Sequence, residues 1–371
     1  MRQGDNVRNG VPKELIGTLL YVTLMLMIGV VALYGADILV STTYHVELSF
    51  VKKQLMWIAL GLIGFLIAAL IDFQIHCKLV WRVYLPVTVM ALSAVFFFPP
   101  IGDAHRWIDL KLFTIQPSEF AKIVILILLA RYIEHAKDKM ISFFRGLVIP
   151  LSIVAPIILL TAIEPDLSTS ILMGAVVLLL LYVAGVRIWH ILALIGGAGL
   201  AAPFAVQFGL LKPYQLGRLK SFVDLLTGGH AFQQELGQIA LASGGFFGSG
   251  LGLGTVKRYV PIKESDFLFS VFGEEFGVVG VLLVFVLLLG LINNLFKVAN
   301  KHVKSIFGRF YIYGFGVLIA VQALMNIGVN VGLLPPTGMP LPFMSYGGSS
   351  MVATLTGLGV VVSIVLGDSR G

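Results

Sequence analysis

The chain has 371 residues, of which 58% are hydrophobic and only 12% are charged. An ordinary soluble domain has about 25% charged residues, so this composition excludes a soluble globular protein and predicts an integral membrane protein. The single cysteine, Cys77, excludes a disulfide framework within one chain.

Ten apolar runs are long enough to cross a bilayer core of about 30 Å as helices, and their continuous Leu, Ile and Val content excludes the alternating strands of a membrane barrel. We therefore predict an all-α, polytopic membrane protein in a single domain, residues 1–371. The first run has no cleavage site and is expected to stay as a helix. The predicted spans lie near residues 15–36, 55–71, 79–98, 119–133, 146–163, 168–185, 188–211, 267–296, 310–334 and 347–366.

Basic residues set the predicted orientation of the spans. The short connections between spans fall into two alternating sets. One set holds most of the lysine and arginine residues, and the other holds only Lys52, Lys53, Arg106 and Lys111. The positive-inside rule therefore places both termini in the cytoplasm and predicts a multi-pass protein of the cytoplasmic membrane. One outer connection, at about residues 212–266 between spans seven and eight, is unusually long, and such loops are functional or disordered.

The second half of that loop, residues 243–254, mixes glycine with phenylalanine. We expect this segment to bend back onto the membrane surface, where it is a candidate lid. A phosphate-binding loop is the alternative, but no Lys-Ser/Thr pair follows the glycines and no strand precedes them.

Acidic residues stand at the outer ends of three predicted helices. Glu119 opens the fourth span, Asp166 the sixth and Asp266 the eighth. Each can be explained as a helix cap, because an acid in the first turn complements the helix dipole. However, the second and tenth spans also begin outside without such an acid, and Lys122 needs a partner within the membrane. Together with the loop residue Arg106, the set indicates a functional site.

The location of this site limits its chemistry. No nucleoside triphosphate is available at the outer surface, so an enzyme there needs a substrate that carries its own leaving group, such as a lipid-linked pyrophosphate sugar. Sugar transfer needs a base for the acceptor hydroxyl and cations or donors for the charge that develops on the phosphate. Carboxylates and Arg or Lys supply these functions.

Five sequence blocks are distinctive, and they are spread in order over nearly the whole chain. They are His-Arg-Trp-Ile-Asp at 105–109, Gln-Pro-Ser-Glu-Phe-Ala-Lys at 116–122, Glu-Pro-Asp-Leu-Ser-Thr at 164–169, Ser-Asp-Phe-Leu-Phe at 265–269 with Gly-Glu-Glu-Phe-Gly at 273–277, and Asn326 with Pro-Leu-Pro-Phe-Met-Ser-Tyr-Gly-Gly-Ser-Ser at 340–350. In these blocks the chain resembles the RodA/FtsW family, also called SEDS for shape, elongation, division and sporulation.

The resemblance implies an inverting peptidoglycan glycosyltransferase that polymerises lipid II into glycan strands on the outer face of the membrane, during cell elongation or division. The implied partners are lipid II, the growing strand, a class B penicillin-binding protein and other elongasome or divisome membrane proteins, with no nucleic acid. Short termini and the first block favour RodA slightly over FtsW. A lipid-linked precursor flippase or transporter and a noncatalytic scaffold of the cell-wall synthesis complex remain as alternatives.

The resemblance also implies residue roles. The essential aspartate of the family falls on Asp266, as a base or as an organiser of the acceptor hydroxyl or of a metal. No cofactor is firmly implied, although a lone aspartate and a pyrophosphate could share a divalent cation, Mg²⁺ or Mn²⁺. Substrate-binding roles fall on Arg106, Glu119, Lys122, Asp166, Gln233 and Ser345.

Some positions depart from the family pattern or stay ambiguous. Leu236 replaces a glutamine, and Glu264-Ser265 replaces His-Thr. One of Glu274 and Glu275 is expected to pair with Lys122 or with a polar stripe on the ninth span. That stripe is interpreted as interhelical hydrogen bonding, with a lipid-headgroup groove as the alternative; it consists of Gln322, Asn326 and Asn330.

Overall fold

The structure is a computed structural model that describes residues 11–44, 49–100, 104–111, 113–207, 217, 232–261 and 264–368. This part of the chain is mostly helical, as predicted. Its α-helices are α1 (Lys13–Tyr44), α2 (Ser49–Leu70), α3 (Phe73–Leu79), α4 (Leu85–Ala94), α5 (Pro117–Ala136), α6 (Ile149–Ile163), α7 (Leu167–Val183), α8 (Ile188–Gln207), α9 (Phe232–Ser243), α10 (Leu268–His302), α11 (Ile306–Asn330) and α12 (Gly348–Asp368).

A small β-hairpin is an exception to the all-α prediction. Strand β1 (Ile108–Asp109) pairs antiparallel with β2 (Thr114–Ile115), so that Ile108 faces Ile115 and Asp109 faces Thr114. The hairpin lies in the connection between α4 and α5, and it brings Arg106 and Trp107 close to the start of α5.

Seven helical segments within the described residues are long and apolar enough to cross a membrane, and they coincide with predicted spans. Helices also lie at the other three predicted positions. There α5 carries four charged residues, α7 has only 17 residues, and α8 is apolar over a short stretch. The seven segments are Lys13–Asp37, Phe50–Leu70, Phe73–Phe97, Phe143–Ile163, Leu268–His302, Ile306–Asn330 and Gly348–Asp368.

Small residues let the apolar helices approach one another closely. Helix α12 packs along α2, where a Cβ atom at Gly359 would lie only 2.3 Å from the Phe65 carbonyl oxygen. Such close contacts provide van der Waals packing where lipid and side chains are equally apolar. Helix α5 packs against both α11 and α12, and most of its side chains are buried. Glu119 and Lys122 therefore face protein rather than lipid, whereas Arg131 and Glu134 nearer the end of α5 are partly exposed.

Helix α10 is interrupted by Gly277, which adopts φ 63° and ψ −161°. The glycine-rich loop fills this break. Val278 N–H donates to the Gly245 carbonyl (3.0 Å), and Ser249 N–H donates to the Glu274 carbonyl (2.9 Å). A Cβ atom at Gly277 would lie 2.4 Å from the Gly248 nitrogen. We expected this segment to bend back onto the membrane surface, but it folds back onto α10 instead. Close backbone approach accounts for these glycines.

The prediction that Glu274 or Glu275 pairs with Lys122 or the polar stripe was wrong. Glu274 accepts hydrogen bonds from the backbone N–H groups of Val256 (2.7 Å) and Lys257 (2.8 Å). Glu275 accepts from the Gly252 N–H (3.0 Å) and forms an ion pair with Lys257. Both acids therefore attach the loop to α10, because their carboxylates are bonded to residues of the loop.

Candidate active site

A cavity of about 520 Å³ opens at the end of the bundle where α5, α7 and α10 begin. Its lining includes four of the predicted site residues, Arg106, Glu119, Asp166 and Asp266. They come from four separate stretches of sequence, so the fold gathers the helix-start acids as expected. Residues 338–340 and 346–350, in and next to the connection from α11 to α12, form another wall.

Asp266 lies two residues before α10, and both its side chain and its backbone carbonyl accept hydrogen bonds. The Ser265 hydroxyl donates to Asp266 Oδ1 at 3.0 Å. The Asp266 carbonyl accepts from the Asn326 Nδ2 and the Asn330 Nδ2, each at 3.0 Å. Asn330 Oδ1 in turn accepts from the Ser270 hydroxyl at 2.6 Å. The polar stripe thus consists of interhelical hydrogen bonds, as interpreted, and these bonds fix the backbone of Asp266.

Asp166 combines a capping role with an ionic one. Its side chain accepts from the Thr169 N–H (3.4 Å) at the start of α7 and from Gln116 Nε2 (3.0 Å). Arg106 Nη1 lies 3.8 Å from Asp166 Oδ1, and Arg106 Nη2 donates to the Pro165 carbonyl. The guanidinium is therefore attached to the start of α7 and faces the cavity.

Glu119 and Lys122 form a buried ion pair at 2.7 Å, one turn apart on α5. Lys122 Nζ also donates to Gln322 Oε1 (3.1 Å), and Gln322 Nε2 donates to the Pro340 carbonyl (3.0 Å). Glu119 lines the cavity, whereas Lys122 does not. Lys122 therefore supports the cavity wall by neutralising Glu119 and by holding Gln322 toward Pro340.

Besides Lys122, two more of the predicted substrate-binding residues, Gln233 and Ser345, lie outside the cavity lining. Gln233 is exposed on α9, whereas its neighbour Gln234 is buried and donates to the Val329 carbonyl at 3.0 Å. Ser345 is buried, and its hydroxyl accepts from the Leu341 N–H at 3.0 Å. Ser345 therefore shapes the turn before α12, while the next residues face the cavity.

Other cavity residues were not proposed from the sequence. Trp57 of α2, Trp107, Glu264 and Tyr346 all line the cavity. Tryptophan near the outer end of a span is a signal for the membrane interface and could have drawn attention to Trp57. A Cβ atom on Gly348 would lie 2.4 Å from Trp57 Cε2, which explains the glycine at the start of α12.

The model of a family described as cell cycle protein, which groups FtsW, RodA and SpoVE, matches residues 17–369. The chain belongs to this FtsW/RodA/SpoVE family.

Similar family members support this placement. The chain is 34% identical over 358 residues to a probable peptidoglycan glycosyltransferase FtsW of Trichlorobacter lovleyi, covering 94% of this chain and 92% of the relative. It is 33% identical over 359 residues to stage V sporulation protein E of Bacillus subtilis, covering 93% of this chain and 95% of that one. The similarity therefore spans nearly the full length of both relatives.

Solved structures of the family share the fold. A chain of a peptidoglycan synthase complex that couples polymerization and crosslinking has a TM-score of 0.81 and 27% identity, covering 95% of this chain and 97% of that chain. The rod shape determining protein RodA of Thermus thermophilus has a TM-score of 0.70 and 25% identity, covering 95% and 96%. Relatives thus carry FtsW, sporulation and RodA names, so the similarity shows the family and does not separate its members.

Glu164, beside the Asp166 cap, is fully buried, and neither carboxylate oxygen has a hydrogen-bond partner among the described residues. Burial, with a smaller contribution from the Asp166 charge, raises the pKa of Glu164 from 4.5 to about 8. Between these two pH values the folded chain holds a proton that the unfolded chain has released. The free energy of unfolding therefore falls as pH rises through this range.

We expect Glu164→Gln to remove this pH dependence. At pH 5 the variant and the parent should unfold at similar temperatures, because Glu164 is then protonated when folded. At pH 9 the variant should unfold at the higher temperature, because only the parent holds a buried carboxylate. Thermal unfolding of detergent-purified protein at both pH values measures this, with the partly exposed Glu134→Gln as control. Parallel pH curves for parent and Glu164→Gln would contradict the prediction.

Proposed function

We propose that this chain is a peptidoglycan glycosyltransferase that polymerises lipid II, with Asp266 as its catalytic residue. The observation that carries the proposal is the single cavity that joins Asp266 with Arg106, Glu119 and Asp166 at the starts of α5, α7 and α10. The relatives named as peptidoglycan glycosyltransferases support the same activity.

The proposed reaction divides its tasks among these residues. The acceptor sugar hydroxyl attacks the anomeric carbon of the donor, and the bond from that carbon to the pyrophosphate oxygen breaks with inversion. Asp266 takes the hydroxyl proton, or holds the hydroxyl in line for attack. Arg106 donates to the pyrophosphate as negative charge develops on it, and its attachment to Asp166 and Pro165 fixes its direction.

The charge of the cavity bears on the proposed divalent cation. Glu119 is neutralised by Lys122, Asp166 lies near Arg106, and Glu264 and Asp266 are also carboxylates of the lining. A pyrophosphate adds negative charge to this set. Among the described residues no group of three or more His, Cys, Asp or Glu side chains could hold a metal. An ion shared by Asp266 and the substrate fits Mg²⁺, which keeps several waters and binds through one or two carboxylates.

We further infer ten spans with both termini in the cytoplasm of a bacterial cell and the cavity on the outer face of the cytoplasmic membrane. Seven segments are long and apolar enough to span, and α5, α7 and α8 supply the remaining three. The buried side chains of α5 explain how a charged helix can cross the membrane. A class B penicillin-binding protein is the proposed partner, because a family member stands in a complex that couples polymerization with crosslinking.

The test is to give purified full-length protein lipid II, with and without Mg²⁺ or Mn²⁺, and to measure both glycan polymer and movement of the headgroup across liposome membranes. We expect polymer. Headgroup movement without polymer would favour a flippase instead. Neither activity, in a protein that binds its transpeptidase partner, would favour a noncatalytic scaffold.

A further inference from the structure

A second depression lies at the opposite end of the bundle from the cavity. Helix α5 runs from the cavity over 20 residues, or about 30 Å at 1.5 Å per residue, and α7 runs in the same direction. Their far ends lead into a 3₁₀ turn (Lys137–Ile141), a π-helical turn (Phe143–Val148) and α8. These connections border a depression of about 600 Å³.

The depression is lined with cations. Lys139 and Arg145 come from the connection between α5 and α6, whereas Arg187 and His190 come from the connection into α8 and its first turn. Among the side chains that the structure describes, no carboxylate forms an ion pair with Lys139, Arg145 or Arg187; the nearby Glu134 pairs with Arg131. Three cations with no ion-pair partner among the described side chains repel one another and favour a bound anion.

The histidine of this set is also placed for a ligand. The His190 ring packs edge-on against Phe143, with ring centroids 5.1 Å apart. Its Nδ1 atom is buried and has no hydrogen-bond partner among the described residues. A buried polar atom without a partner is unfavourable, so a ligand oxygen or water at this position would stabilise the site.

Exposed apolar side chains line the depression or come next in sequence to its lining, and they identify the kind of anion. Ile141 and Phe143 of the lining are 52% and 44% exposed, and Trp189, next to His190, is 75% exposed. Aromatic and aliphatic side chains beside basic ones are typical of the level where lipid headgroups meet acyl chains. A free phosphate or a water-soluble acidic peptide would not bury these apolar side chains.

We propose that this depression binds the phosphodiester headgroup of an anionic phospholipid, with the acyl chains lying against Phe144 and Trp189. Arg145, Arg187 and Lys139 pair with the phosphate, as basic pockets between membrane helices do. The bound lipid would tie the connection after α5 to the connection after α7, and so brace the two helices that carry Glu119 and Asp166. This site is separate from the proposed catalytic cavity and does not depend on its function.

The test measures lipid binding to the full-length protein in neutral detergent by native mass spectrometry, and thermal unfolding with added lipid. Phosphatidylglycerol should bind and raise the unfolding temperature, whereas phosphatidylcholine should not. A basic residue near the membrane surface contributes about a fivefold increase in affinity. The double variant Arg145→Gln/Arg187→Gln should therefore bind phosphatidylglycerol about 30-fold more weakly. Both residues are exposed, so folding should be retained and is checked by the unfolding temperature without lipid.

The matched control is Lys78→Gln/Arg82→Gln, which removes two exposed charges from α3 and the π-helical turn that follows it. This control should bind phosphatidylglycerol like the parent. If both double variants bind phosphatidylglycerol equally weakly, the attraction is diffuse and the proposed site is wrong. The proposal is also wrong if inorganic phosphate raises the unfolding temperature as much as the lipid does, because the site would then bind free anions. Displacement of the lipid by an acidic peptide would likewise contradict it and would indicate a protein partner.

Discussion

Asp266→Asn is expected to reduce lipid II polymerisation at least a hundredfold while leaving the protein folded. A positioned general base contributes about 10²–10⁴-fold to a rate, and asparagine keeps the size of the side chain but cannot accept the hydroxyl proton. Asparagine can still accept the Ser265 hydroxyl bond, and the backbone bonds from Asn326 and Asn330 do not depend on the carboxylate. The measurement is the initial rate of polymer formation by the purified variant.

This variant also separates catalysis from a structural role of the side chain, because the N-cap of α10 is Phe267 and no side chain among the described residues caps that helix. Asp72→Asn is the matched control. Asp72 is the N-cap of α3, where it accepts from the Gln74 N–H at 2.9 Å, and it lies outside the cavity lining. It should polymerise lipid II like the parent. If Asp266→Asn polymerises lipid II at the rate of the parent, Asp266 has only a structural role.

The sequence predicted those parts of the fold that depend on local patterns. Continuous apolar runs are local, and helices lie at all ten predicted positions within the described residues. Acids at helix starts are local as well, and Glu119, Asp166 and Asp266 line one cavity because parallel helices begin at the same end of the bundle. The polar stripe followed from a helical repeat, and its bonds to Ser270 of α10 and to Lys122 of α5 have the predicted interhelical character.

Other features could not be predicted because they depend on register or on a loop without periodicity. Successive helical residues point about 100° apart, so a shift of one residue exchanges the exposed Gln233 for the buried Gln234. A similar one-residue difference separates the buried Ser345 from Tyr346 in the cavity lining. The break at Gly277 depends on a loop that returns from more than 20 residues away, and no helical pattern reveals such a contact.

Lys257→Met is expected to destabilise the protein strongly. Lys257 is 0% exposed, forms an ion pair with Glu275, and donates to the Gly35 carbonyl of α1 at 2.7 Å. It therefore joins α1, the returning loop and α10 at one point. Methionine fills a similar volume but leaves Glu275 as a buried charge without its cation. Removing one partner of a buried ion pair costs about 3–5 kcal/mol.

We expect the unfolding temperature of Lys257→Met in detergent to fall by several degrees, and the loop of residues 244–261 to become more sensitive to protease. The neighbouring Arg258 is exposed, so Arg258→Met is the matched control and should unfold like the parent. The double variant Lys257→Met/Glu275→Gln should recover part of the loss, because it also removes the buried charge.

The double variant decides between two explanations of the loss. If the unpaired Glu275 charge causes it, the two substitutions are coupled and the double variant is more stable than Lys257→Met alone. If the hydrogen bond from Lys257 to the Gly35 carbonyl provides the stability instead, adding Glu275→Gln does not raise the unfolding temperature of Lys257→Met. The destabilising effects of the two substitutions are then additive. We expect coupling, because Glu275 keeps only the Gly252 N–H as a donor from the loop once the lysine is gone. An unfolding temperature of Lys257→Met equal to that of Arg258→Met would show that the ion pair does not hold the loop in place.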